Sequence, residues 1–219
     1  MFGLLGGLVE DLVATAPEAA AFLPEGVDLT EAYLGVAVGS LGLLVGAYGA
    51  GAVLRARAEE SAGRLEALLA TALSRPRWLG GHLAVALGGA TGLLAAAGLA
   101  LGLTRVADGA GGDEVGRLVG AALVQAPAVA VVVGVAVALV GLAPAASGAA
   151  WGYVGYTVVV GVFRESFGWP AWTAWASPYA HLPLVPGEPV TAGPLAALAA
   201  VAAGLLVAGL VGFRRRDLR

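Results

Sequence analysis

Long stretches without charged residues alternate with shorter charged segments along the chain. A helix needs about 20 largely apolar residues to cross the hydrocarbon core of a bilayer, which is roughly 30 Å thick. The stretches 32–54, 78–104 and 189–213 are each long enough for one crossing. The stretch 118–163 is long enough for two, and Pro144 supplies the turn because proline breaks a helix interior. The pattern predicts about five transmembrane helices.

The composition supports an all-α polytopic membrane protein. Of the 219 residues, 59% are hydrophobic and only 12% are charged, whereas soluble domains have about a quarter of their residues charged. All 12 basic residues are arginine and there is no cysteine, which excludes a Walker A lysine, a zinc–thiolate site and a thiol nucleophile. His82 and His181 are far apart, so no metal site is predicted. The net charge of -3 argues against a nucleic-acid partner.

The distribution of arginine predicts the orientation of the helices. Segment 55–77 carries five arginines and the tail 214–219 carries four, so nine of the 12 share one side of the membrane. Positively charged residues mark the cytoplasmic side, so the C-terminus is predicted to be cytoplasmic. An odd number of crossings then places residues 1–30 outside. Those residues contain no arginine, and we expect an upstream helix, absent from this chain, that ends near Phe2–Leu4.

These predictions combine into one transmembrane domain over residues 1–219. Its parts are an external segment (1–30), five transmembrane helices (32–54, 78–104, 118–141, 145–163 and 191–213), a cytoplasmic region (55–77), an external hairpin (164–190) and a cytoplasmic tail (214–219). Prolines exclude a continuous helix in the hairpin. Glycines four residues apart predict close helix packing, because small residues let helix backbones approach in a bilayer. The pairs are Gly35/Gly39, Gly42/Gly46, Gly98/Gly102 and Gly148/Gly152.

The cytoplasmic region carries more than the arginines that orientation requires. It combines charged residues such as Arg57 and Glu60 with an apolar edge at Leu65 and Leu69, which is typical of a short amphipathic helix at the membrane surface. Its run RARAEESAGRLEALLATALSRPRW, followed by GHLAVAL, resembles the cytoplasmic coupling region of type-2 ABC transporter permeases, in particular the polyketide-antibiotic exporters of high-GC bacteria. The C-terminal SPYAHLPLVPGEP and GFRRRDLR resemble the same family, so the likeness covers nearly the whole chain.

The resemblance implies a permease unit of six helices in the bacterial inner membrane, of which the five predicted crossings are helices two to six. It also implies a coupling helix after the second helix, a re-entrant or amphipathic hairpin before the sixth, and a separate ABC ATPase subunit that binds ATP and Mg. Two such units are fused in the polyketide exporters. The chain is then a C-terminal half, one part of a split gene, or a chain with a mis-assigned start, and it works with a second permease half or copy.

Three sets of residues are candidates for function, and none is catalytic or metal-binding. The candidates for coupling to the ATPase are Arg57, Glu59, Glu60, Arg64, Leu65, Glu66, Leu69 and Arg75. Polar residues inside predicted helices are candidates for a substrate path, namely Tyr48, Gln125, Tyr153 and Tyr156. Trp169, Trp172 and Trp175 recur every three residues, with Tyr179 four later, so a short helix would align all four on one stripe. We interpret the tryptophans as an aromatic belt at the outer leaflet or as an exit lid.

The predicted function is therefore the permease subunit of an ATP-driven exporter of hydrophobic drugs or polyketide-like compounds, with no cofactor of its own. An ion-coupled transporter is disfavoured, because no Asp, Glu or Arg falls in the middle of a predicted helix. An intramembrane serine protease is disfavoured because Ser147 and His181 are predicted on opposite sides of the membrane. The remaining alternative is a structural membrane anchor or assembly subunit without a transport path.

Overall fold

The computed structural model describes residues 29–61, 75–164 and 167–215, which form helices joined by turns and irregular segments, without a strand. Short 3₁₀ turns lie at Pro144–Ala146, Ala171–Ala174 and Pro178–His181. The α-helices are α1 (Leu29–Ser61), α2 (Arg75–Ala107), α3 (Asp113–Leu123), α4 (Ala126–Leu142), α5 (Ala149–Phe163) and α6 (Ala192–Arg215). The prediction of an all-α polytopic membrane protein is confirmed.

Four helical segments among the described residues are long and apolar enough to cross a membrane. They are Thr30–Glu60, Arg77–Ala107, Asp113–Leu142 and Ala192–Arg215. The segment Asp113–Leu142 contains both α3 and α4, which meet at a break around Val124 and Gln125. The fifth predicted crossing, 145–163, is shorter than expected: α5 has 15 residues and rises roughly 22 Å. The 3₁₀ turn that Pro144 opens delays the start of α5 to Ala149.

The first two helices extend past the ends that the charge pattern predicts. Helix α1 continues from the predicted end at residue 54 to Ser61, and α2 begins at Arg75 rather than at 78. Residues 55–60 therefore belong to a long helix and do not form a separate surface helix. The physical reason is that alanine, arginine and glutamate are strong helix formers, so nothing stops α1 at the membrane boundary. Residues 62–74 of the predicted amphipathic helix lie outside the described residues.

Helix α4 occupies the centre of the bundle. It contacts α1, α2, α5 and α6, and its most extensive contact is with α6. Its side chains are buried around most of the helix, including Val129, Val132, Val133 and Val137. A helix that is apolar on all sides needs partners on all sides, which accounts for its central position.

Glycine contacts set the two closest helix crossings. A Cβ at Gly98 would lie 2.6 Å from the Leu118 carbonyl oxygen, and one at Gly102 would lie 2.6 Å from the Val115 Cα, which confirms that predicted pair. The second crossing, between α4 and α6, brings the backbone of Gly209 against Gly141 and was not predicted.

The other three predicted glycine pairs have mixed outcomes. Gly42 and Gly46 are closely packed, but against the side chains of Gln125 and Tyr179 and not against a helix backbone, so the predicted backbone approach is not formed there. Gly35 contacts Leu184, whereas Gly39 faces open space. The prediction for Gly148/Gly152 is wrong, because both residues face open space.

An arginine clasp joins α1 and α3 at the end of the bundle that we call the Glu31 end. The Arg117 guanidinium donates two 2.8 Å hydrogen bonds to the Glu31 carboxylate of α1. It also donates to both carboxylate oxygens of Glu114, one turn earlier on α3, at 2.8 and 2.6 Å. Paired guanidinium–carboxylate bonds of this kind fix geometry as well as contributing energy. The clasp therefore fixes the start of α1 beside α3.

Candidate coupling end and re-entrant hairpin

The opposite end of the bundle, which we call the arginine-rich end, is a packed unit built from three helix ends. Ala56 of α1, Trp78 and Leu79 of α2, and Phe213 of α6 form one buried apolar cluster. The rings of Trp78 and Phe213 stack with their centroids 6.1 Å apart. Displacement of the end of α1 would therefore disturb α2 and α6 directly.

Two side-chain contacts involve the last turns of α1. Arg57 contacts Glu60 at 3.1 Å, and the Glu60 side chain is only 7% exposed. Glu59 lies 3.4 Å from Nε2 of His82 on α2, so this pair bridges the ends of two helices.

The predicted coupling residues fall into two groups. Arg57, Glu59 and Glu60 lie on α1, and Arg75 opens α2. The other predicted coupling residues, Arg64, Leu65, Glu66 and Leu69, lie outside the described residues.

Residues 167–191 form a re-entrant hairpin that follows α1 from the Glu31 end toward the middle of the bundle. A Cβ at Gly187 would lie 3.5 Å from the Glu31 Cβ, and one at Gly35 would lie 3.5 Å from the Leu184 carbonyl oxygen. Farther along, Tyr179 Oη donates a 3.0 Å hydrogen bond to the Gly42 carbonyl. From Glu31 to Gly42, α1 rises roughly 16 Å. The hairpin therefore reaches about half the depth of the first membrane-spanning helix.

Tyrosines of α5 satisfy the irregular backbone of the hairpin. Tyr156 Oη donates to the Thr173 carbonyl at 2.6 Å, and Tyr153 Oη donates to the Ala176 carbonyl at 2.8 Å. His181 Nε2 lies 3.1 Å from the Trp175 carbonyl oxygen. Non-helical backbone is tolerated at membrane depth only where its polar groups find partners in the protein. The hydroxyls of Tyr153 and Tyr156, predicted on a substrate path, therefore hold the hairpin in place.

Tyr179 is an aromatic residue of the hairpin that the sequence reasoning placed wrongly. The predicted stripe joined it to the three tryptophans, but Tyr179 is largely buried whereas Trp169, Trp172 and Trp175 are 37%, 65% and 75% exposed. The hairpin consists of two short 3₁₀ turns with a break before Pro178, so no single helix aligns the four rings. The glycine at position 46 is the sequence feature related to the buried position of Tyr179. A Cβ at position 46 would collide with Tyr179 Oη.

The remaining predicted substrate-path residues occupy separate places. Gln125 is buried at the break between α3 and α4, and a Cβ at Gly42 would lie 2.9 Å from its Oε1. Tyr48 packs against Gly89 of α2 and faces the arginine-rich end.

The tip of the hairpin borders a cavity of about 550 Å³ between α4 and α6. Its lining includes Val135, Tyr153, Trp175, His181, Leu198 and Leu205. Trp175 is the member of the predicted exit lid that lines it, whereas Trp169 stacks on Phe167 at 6.0 Å. The cavity is mostly apolar with a few polar groups, and pockets of this kind and size hold hydrophobic small molecules. Within residues 29–61, 75–164 and 167–215, no three His, Asp or Glu side chains could hold a metal ion.

We expect the Tyr179→Phe variant to loosen the hairpin without unfolding the bundle. Loss of the bond to Gly42 should cost about 1 kcal/mol, because the carbonyl loses a donor in a region without water. Amides of residues 177–185 should then exchange with deuterium roughly fivefold faster, as measured by mass spectrometry in detergent. Tyr48→Phe is the matched control, because it removes a tyrosine hydroxyl that packs against Gly89 of α2 and not against the hairpin. Equal exchange in both variants would contradict the anchoring role of Tyr179.

The apolar helices and the buried central helix define a multi-pass membrane protein. The family described as "Multidrug efflux system permease Rv1217c, C-terminal domain" matches residues 1–214, and the chain belongs to this family. The multidrug efflux system permease protein Rv1217c of Mycobacterium tuberculosis is 40% identical over 195 residues. The match covers 87% of this chain and 35% of that relative, so the chain spans about a third of the length of the protein it resembles.

Proposed function

We propose that this chain is the C-terminal transmembrane half of an ATP-driven exporter of hydrophobic drugs or polyketide-like compounds. The observation that carries the proposal is membership of a multidrug efflux permease family over residues 1–214. The cavity beside the hairpin tip supports a hydrophobic substrate, because aromatic and aliphatic side chains form most of its lining. The chain itself performs no chemistry in this proposal.

The proposed partners are an ABC ATPase, which binds ATP and Mg, and a second permease half or copy. The arginine-rich end would face the cytoplasm, in accord with the positive-inside rule. The ATPase would dock against the end of α1 and the residues that follow it. The cluster of Ala56, Trp78 and Phe213 supports this proposal, since ATPase movement at α1 would reach α2 and α6 through packed side chains.

The proposal is tested by efflux of a fluorescent hydrophobic drug from vesicles that contain the complete transporter. ATP should drive efflux, and Ala197→Trp should lower the rate at least about fivefold, because the indole would fill part of the cavity that Ala197 lines. Ala199→Trp is the matched control, since Ala199 is also exposed on α6 but points to another side of the helix.

Two results would count against the proposal in different ways. Equal efflux rates for the two tryptophan variants would show that the cavity is not part of the transport path. Absence of ATP-dependent efflux from the unmodified transporter would favour a structural membrane anchor.

A further inference from the structure

A cavity of about 610 Å³ opens between α1 and α2 at the arginine-rich end. One wall is polar and the other is apolar, so the cavity is amphipathic. The polar wall contains Arg55, Glu59, Arg77 and His82, and the apolar wall includes Ala52 and Val85. The Val85 side chain is 66% exposed, so this wall opens away from the protein interior.

The cavity retains positive charge. Its carboxylate, Glu59, is engaged by His82 at 3.4 Å. Neighbouring Arg57 is already paired with Glu60. Arg55 and Arg77 are exposed, and neither has an ion-pair partner within the described part of the chain. Two guanidinium groups from different helices therefore face the same opening.

The two arginines lie where lipid headgroups are expected. Arg55 follows directly after the uncharged stretch 32–54, and Arg77 precedes the uncharged stretch 78–104. Both guanidinium groups therefore lie at the boundary between hydrocarbon and headgroups. The apolar wall at Ala52 and Val85 continues from this boundary toward the hydrocarbon core.

We propose that this cavity binds the phosphodiester headgroup of an anionic phospholipid. Arg55 and Arg77 would bind the phosphate oxygens, since guanidinium groups match phosphate geometry with paired hydrogen bonds. One acyl chain would lie along Ala52 and Val85. Basic pockets between transmembrane helices are known to hold anionic headgroups, and the net positive charge disfavours a lipid whose headgroup also carries an ammonium.

The test is binding of a fluorescent short-chain phosphatidylglycerol to the purified full chain in detergent, with phosphatidylcholine for comparison. Phosphatidylglycerol should bind more tightly. The Arg55→Gln/Arg77→Gln double variant should weaken its binding roughly 30-fold, since each arginine near a headgroup contributes a several-fold factor. Arg214→Gln/Arg215→Gln removes the same charge from the same end of the bundle and should change binding less than about threefold.

A second variant tests the apolar wall of the cavity without changing its charge. Val85→Trp should weaken phosphatidylglycerol binding roughly tenfold by blocking the apolar wall, and its exposed position leaves the packing of α2 intact. Inorganic phosphate, which lacks an acyl chain, should fail to compete at millimolar concentration. Equal effects of the two arginine pairs, unchanged binding in Val85→Trp, or full competition by phosphate would each overturn the proposal.

Discussion

Gly209→Leu is expected to lose most of its folded form, because Gly209 lies at the closest approach of two membrane-spanning helices. A Cβ at this position would lie 2.5 Å from the Val137 carbonyl oxygen, and a Cβ at Gly141 of α4 would in turn collide with the Gly209 backbone. A leucine would force α6 away from α4, which is its most extensive partner. We expect a destabilisation of about 3 kcal/mol, at the upper end of the usual range for overpacked sites.

Gly204→Leu is the matched control for this prediction. Gly204 is on the same helix, is exposed, and has open space where a Cβ would lie. Its apparent melting temperature in detergent and its elution volume should stay close to those of the unmodified chain, while Gly209→Leu should aggregate or melt far earlier. If the two leucine variants behave alike, the α4–α6 crossing is not a main source of stability.

Arg57→Glu is expected to abolish association with the proposed ATPase. The change reverses a charge on the last turns of α1 and places two acidic side chains together, because Arg57 is paired with Glu60. If Arg57 binds an acidic group of the ATPase, loss of that interfacial pair costs 2–5 kcal/mol or more, so affinity should fall at least about 30-fold. Co-purification of the ATPase from membranes, normalised to the amount of inserted permease, measures the effect.

The exchanged variant Arg57→Glu/Glu60→Arg separates recognition from local structure. It restores an ion pair between the two positions but reverses its direction. If Arg57 binds the ATPase, the exchange should not rescue association, whereas Arg215→Glu, on α6 at the same end, should leave it largely intact. Rescue by the exchange would assign the pair a purely structural role within α1.

Four helical segments long and apolar enough to cross a membrane overlap the uncharged stretches, because a charge inside the hydrocarbon core is costly. The same signal marks where the membrane ends and not where a helix ends, which is why α1 continues seven residues past the predicted boundary at 54. The short length of α5 also escaped prediction. Pro144 marks the turn, but the number of residues in the turn, and therefore the start of α5, depends on local 3₁₀ geometry.

The hairpin shows the limit of sequence reasoning most clearly. Its prolines correctly excluded a continuous helix. The distance that the hairpin extends along α1, however, depends on hydrogen-bond donors that distant residues supply. Tyr153 and Tyr156 read as isolated polar groups in a helix, and only the fold reveals that they meet the carbonyls of Ala176 and Thr173. Tyr179 likewise donates its hydrogen bond to the carbonyl of Gly42, which is 137 positions away in the chain.

The arginine clasp also has an electrical consequence for the inserted protein. Arg117 lies between two carboxylates, Glu31 and Glu114, so the three groups together carry a net negative charge at the Glu31 end. Each elementary charge moved across a membrane potential of 100 mV changes the energy by about 2.3 kcal/mol. In the orientation that we propose, the Glu31 end faces outside, and in a cell whose interior is negative an inversion of the bundle would move this negative cluster to the unfavourable side of the potential. In that orientation, the net negative charge of the clasp opposes inversion of the bundle for as long as the membrane potential is maintained.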